Sequence, residues 1–201
     1  LIAEQIARWR DSPFAALGDT PWAITQRLDA HVTALLPALD SDYAIEGDVA
    51  RHRTATVERG ALVKGPAIIG PRCFVAAGAL LRGGTWLDAD CIIGPGAELK
   101  TAILMRGTKL AHFNFVGDSI VGEDVNFEAG SIVANYRNEM ADKRIRIGAI
   151  DTGVDKFGAL IGDHARIGCN AVIAPGAIIE RRQIVRRLAL IDQHPDAVQG
   201  L

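Results

Sequence analysis

From residue 57 onward an aliphatic residue returns at every sixth position: Val57, Val63, Ile69, Val75, Leu81, Leu87, Ile93 and Leu99. Two positions before each sits a small one: Ala55, Ala61, Ala67, Cys73, Ala79, Thr85, Cys91 and Ala97. A helix repeats at about 3.6 residues and a half-buried strand at about two, so neither produces this period. One large and one small inward position per hexapeptide is the pattern of a β-helix, whose coils stack like steps. The pattern therefore predicts an all-β solenoid.

The flanks depart from the period. In residues 1–44, Ile2, Ile6 and Trp9 share a helical face that Pro13 ends, and a second helix is expected over about 23–36, with Ile24, Leu28 and Leu35 inward. Solenoid ends expose apolar surface, so these helices are expected to form an N-terminal cap. The solenoid is expected over 45–180. Ile45 is already in phase, Arg51 occupies the next inward slot, and the coil becomes regular after Thr54. Around 105–113 the phase slips at a corner of altered length that holds His112. It is expected to resume with Phe115, Val121, Phe127 and Val133 inward, and with Phe113, Ser119, Val125 and Ser131 two positions before them.

A polar stretch at about 137–156, containing Ile145 and Ile147, reads as a loop insertion from one corner. The repeat returns as Ile161, Ile167, Ile173 and Ile179, preceded by Ala159, Ala165, Ala171 and Ala177. Residues 180–193 then read as a helix with Ile184, Leu188 and Ile191 on one face and Pro195 beyond it, which makes 181–201 a C-terminal helix and tail.

Composition narrows the picture. The 201 residues are 49% apolar but only 5% aromatic, so the core must be built from small and branched side chains, as a narrow solenoid requires. The net charge of -2, with both signs mixed, argues against nucleic acid. No apolar run of transmembrane length and no signal-peptide pattern is present, which points to a cytoplasmic protein without a membrane partner. The chain begins with Leu1 rather than Met, compatible with a preceding segment. Three cysteines without a CxxC pair argue against a disulfide framework or a zinc knuckle. Cys73 and Cys91 are expected as small core residues of neighbouring coils, although strands stacked about 4.8 Å apart leave a disulfide within reach. Arg181, Arg182, Arg186 and Arg187 form a solvated face or, alternatively, a site for the phosphates of a nucleotide-containing cofactor.

Chemistry concentrates in residues 109–136, which hold His112, Asn114, Asp118, Asn126, Asn135 and Tyr136 in a chain otherwise sparse in such groups. This stretch resembles the acetyltransferase domain of the bifunctional N-acetylglucosamine-1-phosphate uridyltransferase/glucosamine-1-phosphate acetyltransferase family. The family pattern runs E-x-K, K-x-x-H-x-x-Y-x-G-D, N-x-G-A-G and N-Y. Here it reads Glu98-Leu99-Lys100, Lys109 to His112, Phe115, Gly117-Asp118, Asn126 to Gly130, and Asn135-Tyr136, without gaps from Lys100 to Tyr136. Residues 157–164 and 173–176 resemble the archaeal-type branch.

The resemblance implies a left-handed parallel β-helix, a homotrimer with active sites between neighbouring prisms, acetyl-CoA as donor, and an amino-sugar phosphate as acceptor. His112 is then the base that accepts the amine proton. Lys100, with Glu98 and Phe115, faces the acceptor phosphate, Asn126 holds the sugar, and Lys143 is the nearest match to a further phosphate-binding lysine. Ala129, Asn135 and Tyr136 lie on the acetyl-CoA side. Direct attack of the amine needs neither a protein nucleophile nor a metal.

Three residues depart from the family pattern. Phe115 replaces a tyrosine, Glu128 replaces the first glycine of G-A-G, and Arg137-Asn138 replaces Asp-Gly. Nothing in the first 40 residues resembles the glycine-rich nucleotide loop of a uridyltransferase, so the chain is expected to work alone or with a separate nucleotidyltransferase. Two rival readings stand beside the enzyme. One is a trimeric module that binds a sugar nucleotide without turnover. The other is a zinc enzyme of the γ-carbonic-anhydrase type, for which only His112 and His164 lie in regular coil.

Overall fold

The computed structural model describes residues 1–18 and 20–196; the end of the expected C-terminal tail lies outside the described residues. Its body is a parallel β-helix in which each coil supplies strands to three faces. The first face stacks Thr56–Val57, Phe74–Val75, Ile92–Ile93, Lys109–Leu110, Asn126–Phe127, Arg166–Ile167 and Ile184–Val185. The second carries Leu62–Val63, positions 80–81, 98–100 and 115–117, Ile132–Val133, Val172–Ile173 and Leu190–Ile191. The third carries Val49–His52, Ala67–Ile69, positions 85–87, 102–104 and 119–121, Ala159–Ile161 and Ala177–Ile179. Val75, Leu81, Leu87, Ile93 and Leu99 fill the interior with Cys73, Ala79, Thr85, Cys91 and Ala97 beside them, all buried as the six-residue period requires. All three cysteines are free thiols, and Cys73 Sγ donates to the Asp88 carbonyl at 2.8 Å.

The phase slip has a definite cause that differs from the expectation. Leu80 pairs with Glu98, but Glu98 pairs with Phe115 and Phe115 with Ile132, so two successive coils are each one residue short. The missing residue falls at the corner between the second and third faces. There the earlier coil spends Gly83 and Gly84, whereas Thr101 and Asp118 each turn alone with φ of 54° and 45°. The inward residue of the following coil is consequently Val116, not Phe115, and its small partner is the buried Asn114, not Phe113. Phe115 stands outward and half-buried, and Phe113 is 68% exposed. Asn114 is tolerated inside because its amide donates to the Glu128 carbonyl at 2.7 Å and to Ser131 Oγ at 2.9 Å.

The N-terminal segment is helical but does not cap an end. Short helices α1 (Ile2–Gln5), α2 (Pro21–Gln26) and α3 (Leu28–Leu35) lie along the third face, and the single helix expected over 23–36 is broken at Arg27, whose φ of -125° is not helical. The reason is a second apolar column. Ile68, Trp86, Ile103, Ile120 and Leu160 are in register on the outer side of that face. Ile6, Phe14, Ile24, Leu28 and Val32 cover them. Each fully buried aliphatic of that size contributes about 1.5–3 kcal/mol. The contact is close enough that a Cβ on Gly84 would fall 2.7 Å from the Asp29 backbone nitrogen. α1 lies against Ala159–Ile161 and α3 against positions 80–87, so the segment runs from late coils toward early ones.

The expected C-terminal helix is also corrected. Residues 180–193 form another coil, with Ile184–Val185 and Leu190–Ile191 parallel to the strands before them. Val185 is buried, whereas Ile184 and Leu188, which the helical reading turned inward, are 74% and 79% exposed. Pairing wins because the preceding coil needs acceptors: Gly168 N–H donates to Val185 O and Val172 N–H to Ala189 O, satisfying a sheet edge that a helix would leave open.

The polar insertion leaves the corner between the second and third faces, directly above Asp118. It carries a small hairpin, Arg146–Ile147 with Ile150–Asp151, and sends Ile145 into the cluster under the N-terminal helices. Its neck closes where Phe157 N–H donates to Asn135 O at 3.2 Å.

Candidate active site

The expected site residues lie on the second and first faces, at the His112 corner between those faces, and in the insertion at the corner above Asp118. On the second face, the inward Leu99 turns Glu98 and Lys100 outward. Arg82, in register below Lys100, donates through Nε to Glu98 Oε1 at 2.7 Å. Lys100 Nζ donates to Asp118 Oδ2 at 2.8 Å, and the Asn135 amide reaches the same oxygen. The Phe115 ring completes this group. A Cβ on Gly117 would meet the ring at 2.7 Å and Asn135 at 2.9 Å, so the bare glycine backbone is what lets them pack. Lys100, Phe115 and Asn135 are thus brought together, and Arg82 and Asp118 join them. Arg82 was missed in the sequence although it lies one coil before Lys100 in the regular repeat.

His112 occupies the corner between the second and first faces. The carbonyls of Pro95, His112, Ala129 and Cys169 accept in turn from the N–H groups of Phe113, Gly130, Asn170 and Leu188. His112, Ala129, Cys169 and Arg187 therefore form one column along the edge. The His112 side chain is exposed, with the Phe113 ring edge-on at 5.8 Å between centroids. Cys169 and Arg187 were not singled out for this column, because the register across the insertion is invisible in one dimension.

Asn126 stands on the first face, between Lys109 and Arg166 in register. It lines a cleft of about 550 Å³ together with Glu128, Arg166, Arg186 and Arg187. Glu128, the unexpected acid beside Ala129, is not a bare charge. It accepts from Arg187 Nη2 at 2.6 Å and from Cys169 N–H at 2.8 Å.

Tyr136 is 39% exposed at the start of the insertion. Lys143 lies in the insertion, its Nζ donating to Asn138 O at 2.7 Å and standing 5.6 Å over the Tyr136 ring, apart from the Lys100 group. Arg137 is buried and forms a two-pronged pair with Asp192, at 2.6 and 3.0 Å, while also donating to Pro175 O. Among the described residues no group of three His, Cys, Asp or Glu side chains is placed to hold a metal ion. No described helix is long and apolar enough to cross a membrane.

No protein-family model matches the chain. It is 42% identical over 84 residues to a bifunctional sugar-1-phosphate nucleotidylyltransferase/acetyltransferase of Sulfurisphaera tokodaii, covering 41% of this chain and 21% of that protein. It is 37% identical over 97 residues to the bifunctional protein GlmU of Methanococcus vannielii, covering 48% and 23%. The match thus spans less than a quarter of the length of either relative. A hexapeptide transferase family protein from Anaplasma phagocytophilum superimposes with a TM-score of 0.51 at 17% identity, covering 68% of this chain and 72% of that one. The chain is a left-handed parallel β-helix with the hexapeptide-transferase fold, and close to half of it is similar in sequence to bifunctional nucleotidylyltransferase/acetyltransferases.

Proposed function

We propose that this protein transfers an acetyl group from acetyl-CoA to the nitrogen of an amino-sugar phosphate, working as a homotrimer with sites between neighbouring prisms. One observation carries the reading: Lys100 and Asn126 stand outward on two different faces that meet at the His112 corner. A single prism cannot close both around one sugar, and a neighbouring copy can. The second face also bears an outward column of Leu62, Leu80, Phe115, Ile132, Val172 and Leu190, interrupted only by Glu98. Leu62 is 51% and Leu190 65% exposed, the kind of stripe that a second copy covers. The relatives named as acetyltransferases support the chemistry.

In this mechanism His112 takes a proton from the amine as nitrogen attacks the thioester carbonyl. The new C–N bond forms, the C–S bond breaks, and the proton passes to the departing thiolate of CoA. Most of the acceleration comes from holding amine and thioester together in the geometry of direct attack. The edge column of Ala129, Cys169 and Arg187, flanked by Arg166 and Arg186 in the cleft, suits a polyanionic nucleotide donor.

The test is CoA release from acetyl-CoA in the presence of glucosamine-1-phosphate and then a panel of amino sugars, with sedimentation for the trimer. Amine-dependent release is expected, and its absence across the panel overturns the reading. Binding of acetyl-CoA without release would instead select a non-catalytic sugar-nucleotide module, which the missing hydroxyl at Phe115 favours.

A further inference from the structure

We infer that Asp118 is a positioning residue that ties the acceptor side of the site to the donor side. The inference rests on the acetyltransferase reading, which assigns Lys100 to the acceptor phosphate and Asn135 to acetyl-CoA. Both side chains converge on a single oxygen, Oδ2 of Asp118. The backbone of Asp118 holds the other end of the same region, accepting from Gly158 N–H at 2.9 Å. Asn135 and Gly158 stand on the outgoing and returning sides of the insertion's neck, so one residue grips both.

The placement follows from the shortened corner. With one residue fewer than the Gly83–Gly84 turn, the chain turns through Asp118 at φ 45°, a conformation aspartate tolerates better than most non-glycine residues. Its side chain is 6% exposed and that of Lys100 21%. An ammonium so nearly enclosed needs a counter-charge, and the carboxylate supplies it. The pairing also freezes a flexible lysine stem before any ligand arrives, which lowers the ordering cost of binding. Because the same oxygen fixes Asn135, loosening it disturbs the neck of the insertion that begins with Asn135 and Tyr136.

The experiment is steady-state kinetics of Asp118→Asn in the full chain, each substrate varied in turn, with thermal melting as control. Both KM values are expected to rise about tenfold, the effect of losing one charge-assisted hydrogen bond, while kcat stays within about threefold. A purely structural role would lower the melting temperature and leave both KM values of the folded enzyme unmoved. A purely repulsive role toward phosphate would lower the acceptor KM. Either result overturns the inference, as does a rise in one KM alone. Asn135→Ala provides the second variant: it should raise the acceptor KM, and an unmoved value also overturns the inference. Wild-type protein without amine-dependent release sinks the acetyltransferase reading and this inference together. Wild-type turnover with unmoved KM values in the variants sinks this inference alone.

Discussion

Glu128 grips Arg187 with both carboxylate oxygens, 2.7 Å from Nε and 2.6 Å from Nη2, across the edge that carries Ala129. The Arg187 guanidinium, with the Cys169 N–H behind it, holds the Glu128 carboxyl below the usual carboxylate range. The pair is therefore intact at neutral pH and is lost only as pH falls through that lowered value. Both groups are exposed, so the pair is weak and easily exchanged for another anion. Glu128→Gln leaves an unpaired guanidinium beside the donor column. The expected result is a fall of about two- to fivefold in the acetyl-CoA KM at low salt, vanishing at high salt. Kinetics at two ionic strengths check it.

His112→Ala is expected to cut amine-dependent CoA release by about 10²–10⁴-fold, the usual range for a general base. Its side chain is exposed and lies edge-on to the Phe113 ring, so assembly and melting should not change. Full activity would remove it from the mechanism.

Arg137→Met strands Asp192 beside a buried site. The loss of stability should be on the order of 3 kcal/mol at pH 7, read from chemical denaturation. Burial opposes ionisation of Asp192, but hydrogen bonds from Arg137 and the His194 N–H outweigh it, and the carboxyl ionises below its usual range. That contribution is present above the unfolded value of about 3.9 and disappears as pH drops through the folded one. The gap between wild type and Arg137→Met should therefore narrow as the pH falls below the unfolded value and through the lowered folded one.

Phe115→Tyr restores a hydroxyl on a ring already fixed against Gly117 and Asn135. One additional hydrogen bond is worth about 1 kcal/mol, so the acceptor KM should fall about fivefold if the acceptor carries a phosphate on the Lys100 side. An unchanged KM for glucosamine-1-phosphate would point to a different acceptor.

The parts of the fold that follow the six-residue period were legible from aliphatic spacing alone, because an interior slot admits only one size of residue. Val185 and Ile191 continued that period, yet the helical spacing of Ile184, Leu188 and Ile191 masked it. The two readings differ only in where backbone hydrogen bonds go. The third-face column was also written in the sequence, as consecutive apolar runs at 67–69, 102–104 and 159–161 that signal burial on both sides. Phe115 was misread as inward because two corners were one residue short, and a slip of one exchanges the faces. For the site, Lys100, Phe115 and Asn135 were found by motif. Asp118's grip on both partners, Arg137's bond to Asp192 and Arg187's to Glu128 cross coils, and no local pattern encodes them.

The helical segment along the third face changes how such a protein comes apart. A bare solenoid is nearly one-dimensional and can fray coil by coil from either end. Here Gln5 is bonded to Asp163 and Arg181, while Asp29 rests on Gly84, so late and early coils share one strap. Losing a terminal coil strips the strap's footing, and losing the strap bares a stripe running the length of the prism. Unfolding is thus expected to be concerted rather than sequential. The strap is synthesised before the coils it covers, and its aromatic residues wait on different ones. Phe14 packs edge-on against Trp86 of an early coil at 5.4 Å, whereas Trp22 meets Phe157 at 6.1 Å, so the nascent chain carries an unsheltered Trp22 until the late coils are laid down.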